Sequence, residues 1–166
     1  NVFFWDFGDN TASFQPNPSH LYLTEGDYAV NLQVTNPGNS CFSTKYDTIH
    51  VFTRPIASFT ETETCEGKQL QLNDASTITS GSIATWAWTF QGNGTSGNQN
   101  PTVTYNNAGS YTIGLTATSN HGCSASTSRT IEIFETPLVD FTPSISFGAP
   151  PLQVTMNNTS DAGIYA

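Results

Sequence analysis

Apolar residues recur at every second position through much of this chain. Phe3, Trp5 and Phe7 fall on one side of an extended segment, and Phe4 and Asp6 fall on the other. Alternation of this kind marks a half-buried strand. Gly8-Asp9-Asn10-Thr11 then turns the chain, since Gly, Asp and Asn accept the backbone conformations that tight turns need. Asn17-Pro18 opens a short extended piece through Leu21 and Tyr22, and Thr24-Glu25-Gly26-Asp27 turns again. Tyr28, Val30, Leu32 and Val34 point inward, with Asn31, Gln33 and Thr35 outward. Asn36-Pro37-Gly38-Asn39 is a third turn signal, and a last strand is expected over about 42–52. Helical apolar spacing is not sustained anywhere.

The pattern then repeats. Trp88-Thr89-Phe90-Gln91-Gly92 follows Trp5-Asp6-Phe7-Gly8-Asp9 by 83 positions, as Tyr105 follows Tyr22 and Tyr111 follows Tyr28. Cys123 and Ile131 follow Cys41 and Ile49 by 82. Self-similarity of this length makes tandem repetition the organising fact. Arg54-Pro55 and Thr136-Pro137 mark two boundaries, each just before a short apolar strand expected at 56–59 and 138–141. Leu70 and Leu72 have counterparts in Val154 and Met156, 84 positions on. The chain therefore reads as the last two-thirds of one repeat (1–54), a complete repeat (55–136) and the first third of another (137–166). A frame cut from a longer tandem array has this form.

Composition narrows the partners. Charged residues are 10% of the 166, and the net charge is −9 with four Lys and Arg in all. Thr, Ser, Asn and Gln supply the polarity, as on an all-β surface. Nucleic acid is excluded as an expected partner because the basic footprint for phosphates is missing, and an anionic membrane surface is disfavoured for the same reason. No apolar run is long enough to span a bilayer, so no membrane insertion is expected in this segment.

Strands about 8–12 residues apart, with an inward Tyr opening a late strand, point to an immunoglobulin-like β-sandwich. The run Trp5-Asp6-Phe7-Gly8-Asp9, then Asn17-Pro18 with Tyr22, then Gly26-x-Tyr28-x-Val30-x-Leu32 resembles the signature of polycystic-kidney-disease (PKD) domains. The second copy departs from it, with Thr89, Gln91 and Gly92 in place of the Asp-Gly-Asp element. The resemblance implies tandem PKD-type sandwiches, all-β, in an extracellular protein. The Cys65-x-Gly67 opening and Gly122-Cys123 are similar to repeats of large Bacteroidota cell-surface proteins.

The candidate sites have competing readings. Asp6 and Asp9 could work as an acid–base pair, which needs carboxyl groups about 5–10 Å apart across a cleft, or hold Ca²⁺, which needs about six to eight oxygens. Asp commonly satisfies backbone donors in a tight turn instead, and loss of both carboxylates in the second copy favours that reading. His20, His50 and His121 have no zinc-site spacing, and no nucleophile elbow or phosphate loop occurs. The chain is therefore expected to be no enzyme and to bind no cofactor or metal. Phe3, Trp5, Trp86 and Trp88 read as core before sugar-stacking platform. Phe4 points the other way and is the aromatic contact candidate.

Three cysteines, an odd number, point to a bridge outside this stretch or to free thiols. In the implied sandwich, Cys65 lies in a turn at one end and Cys123 in a hairpin turn at the other. Strands between them span roughly 20 Å at ~3.3 Å per residue, whereas a disulfide needs Cα atoms within about 7 Å. Inter-repeat bridges are expected, from Cys65 to a residue beyond Ala166 and from Cys123 or Cys41 to residues upstream; free buried thiols are the alternative. Asn93-Gly94-Thr95, Asn157-Asn158-Thr159 and Asn158-Thr159-Ser160 fit the N-glycosylation pattern. Asp47-Thr48-Ile49 resembles the O-glycosylation motif of Bacteroidota surface proteins, which makes Thr48 and Asn93 glycosylation candidates.

The expected function is structural: a semi-rigid extracellular rod or filament segment of a cell-surface, adhesin-like protein, each sandwich advancing roughly 35–45 Å. Its partners would be neighbouring repeats, other copies packed laterally, and surface polysaccharide or protein. The alternative is an accessory spacer or binding module of a secreted enzyme. Exposed aromatics lined up across one sheet face would favour that alternative.

Overall fold

A computed structural model describes residues 1–39 and 41–160. Every regular element among them is a β-strand, and no helix is long and apolar enough to cross a membrane. The chain divides into two compact units. One is Asn1–Ile56 with Thr77–Ala84 and Thr118–Ala125; the other is Ala57–Ser76, Thr85–Ala117 and the chain from Ser126 onward.

The first repeat is one antiparallel sheet of β1 (Val2–Asp6), β2 (Ala12–Ser13), β3 (Gly26–Thr35) and β4 (Phe42–Val51), in the order β2-β1-β3-β4. Register pairs Trp5 with Leu32 and Tyr28 with Ile49, so the inward apolar sets share one face. The extended piece after Pro18 forms no strand. Its counterpart in the second repeat is a strand only because it has a partner, described next.

The second repeat is a sandwich. β5 (Phe59–Glu61), β7 (Gln69–Asp74) and β10 (Thr102–Thr104) form one sheet, and β6 (Thr64–Cys65), β12 (Ser124–Phe134), β11 (Gly109–Ser119), β8 (Ile83–Phe90) and β9 (Gly94–Ser96) form the other. Phe59, Leu70, Leu72 and Val103 of the first pack on Trp88, Phe90, Ile113, Leu115, Ile131 and Ile133 of the second. Each Leu or Ile fully removed from water contributes about 1.5–3 kcal/mol, which is why strict alternation on β11 produces this layer.

The tyrosine that opens each late strand closes a corner onto the chain four residues before it, as in immunoglobulin-like folds. The Tyr28 hydroxyl donates to the Thr24 carbonyl at 3.0 Å and the Tyr111 hydroxyl to Asn107 at 2.9 Å. The early strand begins at Phe59, later than 56–59 would have it; Ile56 makes only an isolated bridge to Thr77. The pairing of Phe59 with Asp74 sets that start. The third repeat shows the same shift, with β13 (Phe141–Pro143) paired antiparallel to β14 (Met156–Asn158). A serine clasp recurs as well: Ser76 Oγ accepts from Ser58 N and donates to Ser58 O, and Ser160 Oγ does both with Asp140.

Candidate functional site

Strand register gathers aromatics that lie far apart in sequence onto the outer face of the first sheet. Phe4 pairs with Gln33, which pairs with Thr44; Asp6 pairs with Asn31, which pairs with Tyr46; Thr35 pairs with Phe42. Directly opposed residues share a face, so Phe4, Asp6, Phe42 and Tyr46 stand on one side. Phe14 joins them, its ring 5.4 Å from that of Phe4. Phe14, Phe42 and Tyr46 are 71%, 66% and 69% exposed. A groove of about 440 Å³ lies at Phe4, lined by Phe4, Asp6, Gly8, Asn10, Thr11 and Ala12. Aromatic faces flanked by a carboxylate, an amide and a hydroxyl can stack on an apolar ring face and hydrogen-bond its rim.

The second repeat keeps the sheet and loses this surface. At the positions of Phe4, Phe14, Phe42 and Tyr46 it has Ala87, Gly97, Ser124 and Ser128. Asp6 and Asn31, joined by a 3.3 Å hydrogen bond, are replaced by Thr89 and Gly114, where a Cβ on the glycine would lie 2.5 Å from the threonine hydroxyl. Of the four aromatics, alternation singled out Phe4 alone; the others needed the four-strand register.

The turn carboxylates serve the backbone. Asp6 Oδ1 accepts from Gly8 N at 2.9 Å, and Asp9 Oδ1 accepts from the Thr11 amide at 3.1 Å and the Thr11 hydroxyl at 2.6 Å. Asp9 Oδ2 also meets His20 Nε2 at 2.7 Å. The Thr11 hydroxyl, with His20 adding to it, holds the Asp9 carboxyl below its ordinary value. His20 stacks flat on Phe7 at 4.2 Å, and Tyr22 donates to the Phe7 carbonyl at 3.0 Å. His50 meets Asp27 at 2.6 Å, and His121 lies 3.3 Å from Asn120. Among the described residues no three His, Cys, Asp or Glu side chains converge as metal ligands.

The three cysteines are free. Cys65 lies in β6 beside Phe134, at the end of β12, whereas Cys123 directly precedes the first residue of β12. Cys41 is exposed beyond the Asn36–Asn39 turn. Thr48 is exposed on β4, its amide donating to Asp47 Oδ1, and it shares the outer face with Tyr46. The Asn93 side-chain amide is engaged, donating to the Thr104 carbonyl at 2.7 Å.

A family model described as PKD domain matches residues 1–51 and 52–134. The chain belongs to the PKD domain family. Its repeats are thus tandem immunoglobulin-like PKD sandwiches. A microbial collagenase of Vibrio alginolyticus is 53% identical over 32 residues, 19% of this chain and 4% of the collagenase. The PKD1 domain of Vibrio anguillarum Epp is 29% identical, with a TM-score of 0.48, over 52% of this chain and 100% of that domain. The PKD1 domain of the Vibrio cholerae metalloprotease PrtV is 32% identical, with a TM-score of 0.45, over 49% of this chain and 99% of that one.

Proposed function

We propose that these PKD repeats are a non-catalytic accessory module of a secreted enzyme, spacing it and holding it on a polymeric polysaccharide or protein outside the cell. The observation that carries this reading is the row of aromatics, half-buried Phe4 with exposed Phe14, Phe42 and Tyr46, on one sheet face beside a polar groove. The 32-residue match within a protein named as a microbial collagenase supports it. The first repeat is the contact element; the second, with small residues at the same positions, is the spacer.

The test is retention of the 166-residue chain on insoluble collagen, chitin and cellulose. Wild type should bind at least one of them, and Phe4→Ala with Phe14→Ala should weaken that binding about tenfold or more, as loss of aromatic anchors does. Retention on none of the three, or retention indifferent to both substitutions, would overturn it.

A second reading, a stiff segment of an adhesin-like surface filament, is favoured by the repetition itself and by Pro55 and Pro137, which restrict bending where they stand. Electron microscopy of the natural full-length protein separates the two: a long thread supports the filament, and a globular body on a short stalk supports the accessory module.

A further inference from the structure

The aromatics on the outer face of the first sheet stand in two ridges. Phe4 on β1 and Phe14, which directly follows β2, form one; Phe42 and Tyr46 on β4 form the other. Between them runs β3, whose Asn31, Gln33 and Thr35 share that face through their pairing with Tyr46, Phe4 and Phe42 in turn. Phe14, Phe42 and Tyr46 are exposed, whereas Asn31, Gln33, Thr35 and the neighbouring Thr44 are half-buried. Amides and hydroxyls therefore floor a trough with aromatic walls. β1 and β4 lie two ladder spacings apart, roughly 10 Å at ~4.8 Å each. Along β4, Phe42 to Tyr46 spans roughly 14 Å at ~3.4 Å per residue.

The complete second repeat shows that this face looks outward whatever else a repeat contains. There the β5-β7-β10 sheet packs on the inner face of β8, β11 and β12, and β6 joins the edge of β12 at Ile133 and Phe134. With all of those strands in place, the counterparts of the four aromatics, Ala87, Gly97, Ser124 and Ser128, stay exposed. Thr116 and Ser126, at the positions of Gln33 and Thr44, are not buried either. What the second repeat lacks is the aromatic walls.

We propose, resting on the contact role given to this face above, that its trough takes one chain of a neutral polysaccharide, laid along β3 between the two ridges. Aromatic rings on either side stack on the apolar faces of sugar rings. The floor amides and hydroxyls both donate and accept hydrogen bonds, as sugar hydroxyls do. An extended peptide is served less well. The β3 backbone is already laddered to β1 on one side and β4 on the other, so no strand can be added there. A polyanion is repelled, since Asp6 borders the floor, the trough residues include no Lys or Arg, and the chain carries a net charge of −9. A flat crystalline surface would bridge the ridges without reaching the floor.

The experiment is native affinity electrophoresis of the 166-residue chain in gels that each hold one soluble polymer. The neutral polysaccharides are hydroxyethylcellulose, glycol chitin, mixed-linkage β-glucan and xyloglucan; hyaluronan and gelatin stand for a polyanion and a protein. At least one neutral polysaccharide should retard the chain, and hyaluronan and gelatin should not. Tyr46→Ala in a wall and Gln33→Ala in the floor should each weaken that binding about tenfold. Tyr46→Phe keeps the ring and should bind nearly as wild type does. Ser128→Ala, at the Tyr46 position of the second repeat, should change nothing. Thermal midpoints close to that of wild type check that the variants fold. Retardation by gelatin or hyaluronan in place of the neutral polymers, or binding indifferent to both alanine substitutions, would overturn the proposal. So would no retardation by any polymer; if the chain is then still held on an insoluble one through Phe4 and Phe14, the accessory reading stands and the single-chain site falls. Failure in both assays would remove both.

Discussion

Gly8 sits at φ +78°, so close to β3 that a Cβ would lie 2.7 Å from the Ala29 carbonyl oxygen. Gly92 has nearly the same φ, +76°, with nothing within 4 Å. Comparing the two separates backbone strain from close approach. Gly92→Ala should cost about 1 kcal/mol for the left-handed conformation alone, and Gly8→Ala about 2–3 kcal/mol because the strand must also give way; urea denaturation measures both. Asp9 adds a pH dependence. Its carboxyl is held below the ordinary 3.8, chiefly by the Thr11 hydroxyl. Its contribution is therefore complete above the unfolded value and is lost as pH falls through the lower folded one. Asp9→Asn should lower the thermal midpoint of the first repeat at neutral pH, and the difference should vanish well below pH 3.8. Midpoints measured across pH check this; a difference that grows in acid would refute it. The second repeat, with Gly92 and Val103 at the positions of Asp9 and His20, should lack this dependence.

Among the strands, those with sustained alternation were legible from sequence alone. β11 follows its apolar pattern because one face is buried along its length, whereas β3, only half-buried, and the largely exposed β4 are held by their ladder to each other. The two-residue β6 was not legible, since no period can be read from Thr64 and Cys65; only the pairing with β12 makes them a strand. The aromatic face was legible at Phe4 and hidden at Phe14, Phe42 and Tyr46, because register, a long-range property, brings them together. The stack of His20 on Phe7 was hidden for the same reason. Burial also ranks equivalent strands. Leu115 is 1% exposed and Leu32 only half-buried, so Leu115→Ala should cost about 2–5 kcal/mol, as full burial implies. Leu32→Ala should cost clearly less. Chemical denaturation of each variant decides, and equal losses would show that the first sheet is as well covered as the second.

Among the described residues, the second repeat is a two-sheet sandwich, the first a single four-stranded sheet and the third a two-stranded hairpin. In dilute solution, hydrogen exchange should be slowest at Leu70, Ile113 and Leu115, and faster by orders of magnitude in β1–β4 and β13–β14, since protection follows the free energy of opening. Uniform protection measured by mass spectrometry would contradict that gradient. The second repeat also bears on how such a module answers a pull. β6 and β12 run parallel, with Thr64 beside Ile133 and Cys65 beside Phe134, and the Glu66 amide extends the patch to the Phe134 carbonyl at 2.8 Å. Tension on the chain before β6 and after β12 drags the two strands in opposite directions along their common axis. The slanted bonds of a parallel pair are then loaded together, in shear, and cannot peel one at a time. A PKD repeat under tension would find its resistance to extension in these few bonds, and the apolar core behind them would open only after they had failed.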